Sequence, residues 1–266
     1  MKIFGILNLT EDSFFADSRT PLAEAVVGAE RLLAAGADVV DVGPAASNPD
    51  AAKVSAEEEL RRIAPVLNHL ADRLDQVSID TYLAETQLAA AARGVGYLND
   101  IHGFPDARVR EALAGFDCRL VVMHAVQAEG LATREAGLEP DRAVEAILDF
   151  FQRRVAELEA AGVARDRIIL DPGMGFFLGA NPETSFRVLA RLPELKALGL
   201  PLLVSVSRKS FLRAVAGVSA EEAGPATLAG ELWAAAQGCD YIRTHEPRGL
   251  KQAWAVWTAT QVQAAR

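Results

Sequence analysis

A strand–helix alternation repeated eight times constrains this chain more than any other feature of its sequence. Short runs rich in Val, Ile and Leu are predicted strands at residues 2–8, 38–43, 76–80, 94–99, 119–124, 167–171, 200–207 and 240–245. Apolar residues recur at helical spacing over 20–35, 55–73, 84–93, 141–161, 183–198, 208–216, 227–237 and about 250–264. Ser55, with Glu58 three residues on, reads as a capping box. Gly36, Gly94, Gly162, Gly199, Gly217 and Gly238 stand where six of the helical segments stop. Strands that alternate with helices form parallel βαβ units, because each helix carries the chain back to the same sheet edge. Eight such units, with no composition shift or linker, predict one α/β domain over 1–266, a (β/α)8 TIM barrel. A doubly wound sheet is the other architecture the pattern permits.

Composition closes off several functions. With 50% hydrophobic and 24% charged residues, the chain lies in the globular range. A net charge of −9 without a basic block argues against a nucleic-acid surface. No apolar run reaches the roughly 18 residues of a membrane span, so no membrane partner is expected. The start, MKIFGILNLTEDSF, turns polar too early for a signal peptide. Cys118 and Cys239 lie in apolar stretches and read as buried free thiols, so the expected location is cytoplasmic.

In a parallel barrel, side chains at the C-terminal strand ends share one mouth. Those ends carry Asn8, Gly43-Pro44, Asp80, Asn99-Asp100, His124, Asp171, Ser207-Arg208-Lys209 and Arg243-Thr244-His245. Any one could be ordinary turn chemistry. Together they describe a mouth with acceptors and an amide from Asp80, Asn99 and Asp171, and with positive charge and donors from Lys209, Arg243 and His245, together with Asn8. The first set suits a planar heterocycle with a 2-amino-4-oxo edge; the second suits a phosphate or diphosphate. The stretch IILDPGMGFFLG (168–179) adds a Gly-rich turn after Asp171 and two adjacent rings, Phe176 and Phe177.

These residues carry a resemblance. GILNLTEDSF, SIDT at 78–81, LNDI at 98–101, VVMH at 121–124, ILDPGMGF at 169–176, SVSRKSF at 205–211 and RTH at 243–245 resemble, in order, the motifs of dihydropteroate synthases. The resemblance implies condensation of 6-hydroxymethyl-7,8-dihydropterin diphosphate with p-aminobenzoate, assisted by Mg2+, in a homodimer packed through late helices. It implies that Asp80, Asn99, Asp171 and Lys209 hold the pterin and carry the catalysis. Asn8, Arg243 and His245 would hold the diphosphate, with Asn8 next to the metal. Ser210 would meet the p-aminobenzoate carboxylate, and Phe176 would border its ring. A pterin-binding methyltransferase barrel and a non-catalytic pterin-binding paralogue are the rival functions.

Two departures narrow the resemblance. The family loop after the second strand carries an Arg, whereas residues 43–50 here read GPAASNPD. After DPGMGF the family commonly continues Gly-Lys, whereas Phe177-Leu178-Gly179 follow here. Both departures resemble the Sul-type, sulfonamide-resistant branch. They imply that Phe177 reshapes the p-aminobenzoate wall.

Overall fold

The computed structural model describes residues 1–9, 21–45, 54–127 and 137–264. Eight parallel strands form the centre: β1 (Lys2–Asn8), β2 (Val39–Gly43), β3 (Val77–Asp80), β4 (Tyr97–Asp100), β5 (Arg119–Met123), β6 (Ile168–Asp171), β7 (Leu203–Val204) and β8 (Tyr241–Thr244). Their hydrogen-bonded order is β6-β5-β4-β3-β2-β1-β8-β7. A parallel bridge between Leu170 and Leu202 brings the two outer strands together and turns the sheet into a barrel. The doubly wound alternative therefore falls away: every neighbour in the order is also a neighbour in sequence, apart from the β1–β8 closure.

Helices α1 (Pro21–Ala34), α2 (Ala56–His69), α3 (Ala84–Arg93), α4 (Ala107–Leu113), α5 (Ala143–Ala160), α6 (Pro182–Ala190), α7 (Leu192–Lys196), α8 (Ser210–Ala216), α9 (Gly224–Ala236) and α10 (Pro247–Ala264) fill the connections. The Ser55 cap forms as expected, its Oγ accepting from the Glu58 N–H at 3.2 Å. The α3 stop at Gly94 is left-handed, with φ 87°. Three elements depart from the pattern. The predicted helix 183–198 is broken at Arg191, because Pro193 has no N–H for a continuing turn and instead sits in the first turn of α7. Helix α4, capped by Asp106 through the Arg108 N–H at 2.8 Å, is too short to show a helical period. Strand β7 keeps two of the eight residues expected over 200–207, as the chain leaves the sheet toward Arg208, whose φ is +58°. The start of the 20–35 helix and the 46–50 part of the altered loop lie outside the described residues.

Alternation along the strands decides what faces the centre. Phe4, Val39, Tyr97, Val121, Ile169, Leu203 and Tyr241 pack together inside the barrel. Their neighbours Val40, Leu98, Leu120, Val122, Ile168, Leu170, Val204 and Ile242 face out into the larger core under the helices. Full burial of each such side chain is worth about 1.5–3 kcal/mol. The period of two then places Asp41, Asn99, Met123, Asp171, Ser205 and Arg243 one step above the inner apolar layer. Asp80 joins them because it is in register with Asn99. The fold thus builds an apolar plug and sets a polar layer directly above it.

Candidate active site

Eleven residues of that layer and its turns line one pocket: Asp80, Asn99, Ile101, Met123, Asp171, Gly173, Met174, Phe177, Ser205, Lys209 and Arg243. Four residues expected to hold a pterin, Asp80, Asn99, Asp171 and Lys209, are among them. Arg243 and Phe177 are brought to the same pocket. Asn8 lies apart and exposed at the end of β1, next to Gly43, where an added Cβ would stand 3.3 Å from Asn8 Oδ1. Ser210 opens α8, its Oγ 3.4 Å from the position of a Cβ on Gly175. Phe176 packs against Ile101, Met123 and Phe177.

The turn after Asp171 explains its glycines. Gly173 donates its N–H to Asp171 Oδ1 at 2.8 Å, with φ +69°. A Cβ there would meet the His124 carbonyl oxygen at 2.3 Å, so the turn can cross this close only without a side chain. One carboxylate oxygen is thereby fixed, and the carboxylate remains in the pocket. Phe177, carried by the next single helical turn, is 8% exposed and places its ring 4.7 Å from the Lys209 ammonium. That cation–π contact holds Lys209 without using any of its three donors.

The far wall is an ion triad. Arg243 Nε donates to Asp41 Oδ2 at 2.5 Å and Arg243 Nη2 to Asp80 Oδ2 at 2.6 Å. Asp41 is fully buried within β2 and was absent from the sequence reading. Its signal was a carboxylate inside the run VVDVG, which an apolar strand does not tolerate without a partner. Arg243 is therefore committed to two carboxylates and is not a free cation at the mouth. Burial opposes its charge, but Asp41 and Asp80 outweigh burial and raise its pKa above the ordinary value. Ser205, also inward, was likewise not singled out.

Burial sets the protonation of the remaining groups. It pushes the Asp171 carboxyl up to about 6, against the pull of the Gly173 N–H and Lys209. It raises Asp80 as well, with Arg243 pulling the other way. Burial, aided by the Arg243 charge, brings Lys209 down to about 8. The same causes take His245 down to about 3, so His245 is neutral where the sequence reading counted it among the positive groups. Its Nδ1 pairs with Ser207 Oγ at 2.9 Å, and it lines a separate groove with Arg208 and Arg248. His124 is buried, down to about 4, and stacks edge-on to Phe150 rather than facing the pocket. Asp100 faces the helix layer and accepts from Gln87, His102 N and Phe104 N, so it shapes the loop after β4.

A parallel barrel with a carboxylate, amide and ammonium cluster at the C-terminal ends of its strands has the place and the chemistry of a barrel enzyme's active site. Residues 4–245 match the family described as pterin binding enzyme. The chain is 58% identical over 253 residues to the type-1 dihydropteroate synthase of Escherichia coli, covering 94% of this chain and 91% of that protein. Identity to the dihydropteroate synthase of Escherichia coli strain K12 is 36% over 260 residues, covering 97% and 91%. A solved dihydropteroate synthase from Xanthomonas albilineans in complex with 7,8-dihydropteroate superposes with a TM-score of 0.85 at 31% identity, covering 98% and 93%. The chain belongs to the dihydropteroate synthase family of pterin-binding transferases, and it is more similar to the type-1 enzyme than to that of strain K12.

Proposed function

We propose that the protein joins p-aminobenzoate to the methylene carbon of 6-hydroxymethyl-7,8-dihydropterin diphosphate, giving 7,8-dihydropteroate and pyrophosphate. The observation that supports this most is the convergence of Asp80, Asn99, Asp171 and Lys209 on one pocket. Asp171 accepts from the amino and ring N–H groups of the pterin. The Asn99 amide, whose Oδ1 is buried with no partner among the described residues, reads a second edge. Lys209 donates to the oxo and ring-nitrogen side. The C–O bond breaks with its electron pair leaving on the diphosphate; the arylamine nitrogen then attacks the carbon and loses a proton. Asp171 and Asp80 favour the positive charge that develops on the pterin. Ser210 is assigned to the p-aminobenzoate carboxylate and Phe176 to its ring.

The diphosphate is assigned to Asn8 and His245, with Arg243 as the wall beneath. A neutral His245 accepts or donates one hydrogen bond, and an arriving diphosphate favours its protonation. Mg2+ belongs to this reading as a companion of the substrate. Among the described residues no three His, Cys, Asp or Glu side chains converge as a metal site. The donors present fit a cation that arrives on phosphate oxygens and takes one amide oxygen, that of Asn8. Bound there, Mg2+ would neutralise the leaving diphosphate.

Insensitivity to sulfonamides belongs to the same proposal, through Phe177. So does a homodimer: the groove of α6, α8 and α9 exposes Val215 (71%) and Trp233 (48%), and Trp257 on α10 is 38% exposed. No helix among the described residues is long and apolar enough to cross a membrane, in keeping with a cytoplasmic enzyme. The test is release of pyrophosphate from pterin diphosphate that depends on p-aminobenzoate. Growth of a synthase-deficient strain carrying this chain, with and without sulfonamide, tests the drug reading. Pterin binding without pyrophosphate release would overturn the enzymatic assignment.

A further inference from the structure

Two buried acids stand outside the barrel, behind the strand ends that carry the Asp80–Arg243 ion pair. Glu59 on α2 is 2% exposed and Glu231 on α9 is 1% exposed. Neither lines the pocket. A buried carboxyl is costly and needs a reason for its place.

Strand alternation supplies one. Asp80 and Arg243 face inward, so the next residues, Thr81 and Thr244, face the helix layer. Both threonines are buried. The Thr81 hydroxyl donates to Glu59 Oε2 at 2.6 Å and accepts from the Leu83 N–H at 3.1 Å. The Thr81 carbonyl accepts from Gln87 Nε2 at 2.9 Å, and its N–H donates to the Asn99 carbonyl at 2.9 Å. Every polar group of Thr81 is thus engaged, with Glu59 at the helix end of the chain. On the other side Thr244, whose hydroxyl accepts from the Glu246 N–H at 3.1 Å, has Glu231 near it on α9, and Glu231 Oε1 makes no hydrogen bond among the described residues. The two partners of one ion pair are each followed by a buried threonine, and at Thr81 a hydrogen bond ties that threonine to a buried acid on a neighbouring helix.

We propose that Glu59 is a positioning residue that, through Thr81, holds Asp80 in the geometry the pterin requires. A strand end is where the ladder stops constraining the chain. A hydrogen bond on the outward residue fixes the backbone torsions of the inward one. Burial favours the protonated form of both acids, and brings Glu231 up to about 8. The idea rests on the pterin-diphosphate reading given above.

Two single variants test it: Glu59→Gln and Glu59→Leu. Thr81→Val removes the same bond from the other end with little change of shape. Each is read by KM for pterin diphosphate, KM for p-aminobenzoate, and melting temperature. The expected result is a rise of fivefold or more in KM for pterin diphosphate in the Leu and Val variants, with KM for p-aminobenzoate within twofold. The Gln variant, which keeps an acceptor for the threonine, should recover most of the loss. A lower melting temperature with both KM values unchanged, or an equal rise in both, would make Glu59 structural only and overturn the proposal. If Glu59→Leu fails to fold, Thr81→Val decides. Should the wild type release no pyrophosphate, the proposed function fails; wild-type turnover with an unmoved KM in the variants sinks only the positioning role.

Discussion

The ammonium of Lys209 stands 4.7 Å from the ring centroid of Phe177, and both side chains line the pocket of Asp171 and Asn99. The ring holds the lysine stem while leaving its N–H groups to a ligand. Lys209→Ala removes a charged donor that no other described lysine replaces in that pocket. Losing a hydrogen bond to a charged group costs about 1.5–3 kcal/mol, or roughly tenfold to a hundredfold in kcat/KM. The expected outcome is a fall of that size for pterin diphosphate in a protein that melts like wild type. Undiminished turnover in folded Lys209→Ala would remove Lys209 from the chemistry.

Phe177 makes a second expectation sharper. A sulfonamide is tetrahedral at sulfur, where p-aminobenzoate has a flat carboxylate, so a ring packed in place can discriminate by collision. Phe177 is packed in place, among Ile101, Met123 and Phe176. An overpacked contact costs about 1–3 kcal/mol, roughly tenfold to a hundredfold in affinity. Phe177→Gly is expected to lower the sulfonamide inhibition constant by that factor while p-aminobenzoate is still used. Because removing a buried Phe side chain can cost about 3–5 kcal/mol, Phe177→Leu serves as the better-folded companion. Equal inhibition constants in wild type and both variants would reduce Phe177 to a packing residue and a support for Lys209.

The order of strands and most helices was legible because periodicity and Gly stops are local signals; the break at Arg191 and the two-residue β7 were not. Asp80, Asn99, Asp171 and Lys209 were legible because strand ends are where polar residues interrupt apolar runs. Asp41 was not found, because it sits inside a strand and not at its end. Only the closure of β8 onto β1 brings Arg243 across to it. The charge state of His245 was equally out of reach: it depends on burial and on neighbouring cations that are distant in sequence.

Asp41 should therefore matter as much as residues with a direct ligand role. In Asp41→Asn the guanidinium of Arg243 loses one of its two buried counter-charges. Breaking a buried ion pair from one side costs about 3–5 kcal/mol. A denaturant titration is expected to show a loss toward the lower part of that range, since Asn keeps an acceptor oxygen for Arg243 Nε. The same variant should weaken pterin diphosphate binding, because the remaining pull draws Arg243 toward Asp80. A denaturation midpoint unchanged from wild type would mean that Asp41 contributes no net stability in the triad.

Asp171 and Lys209 together predict a pH window. With Asp171 near 6 and Lys209 near 8, the acceptor and the cation coexist between those values. The kcat/KM for pterin diphosphate is expected to fall on the acid side of about 6 and on the alkaline side of about 8. Stability carries an independent sign. The folded Asp171 pKa lies above the ordinary value near 3.9. Between about pH 4 and 6 the folded protein thus binds more protons than the unfolded chain. Through that interval Asp171 lowers stability as pH rises, by on the order of 2–3 kcal/mol over its full range. Asp171→Asn has no proton to lose there. Its unfolding free energy should be flatter with pH over 4–6 than that of wild type, while its affinity for the pterin, measured by calorimetry, collapses because an amide donor faces the ligand's N–H groups. A stability difference between variant and wild type that does not change over that interval would mean that Asp171 is ionised throughout and that burial does not raise its pKa.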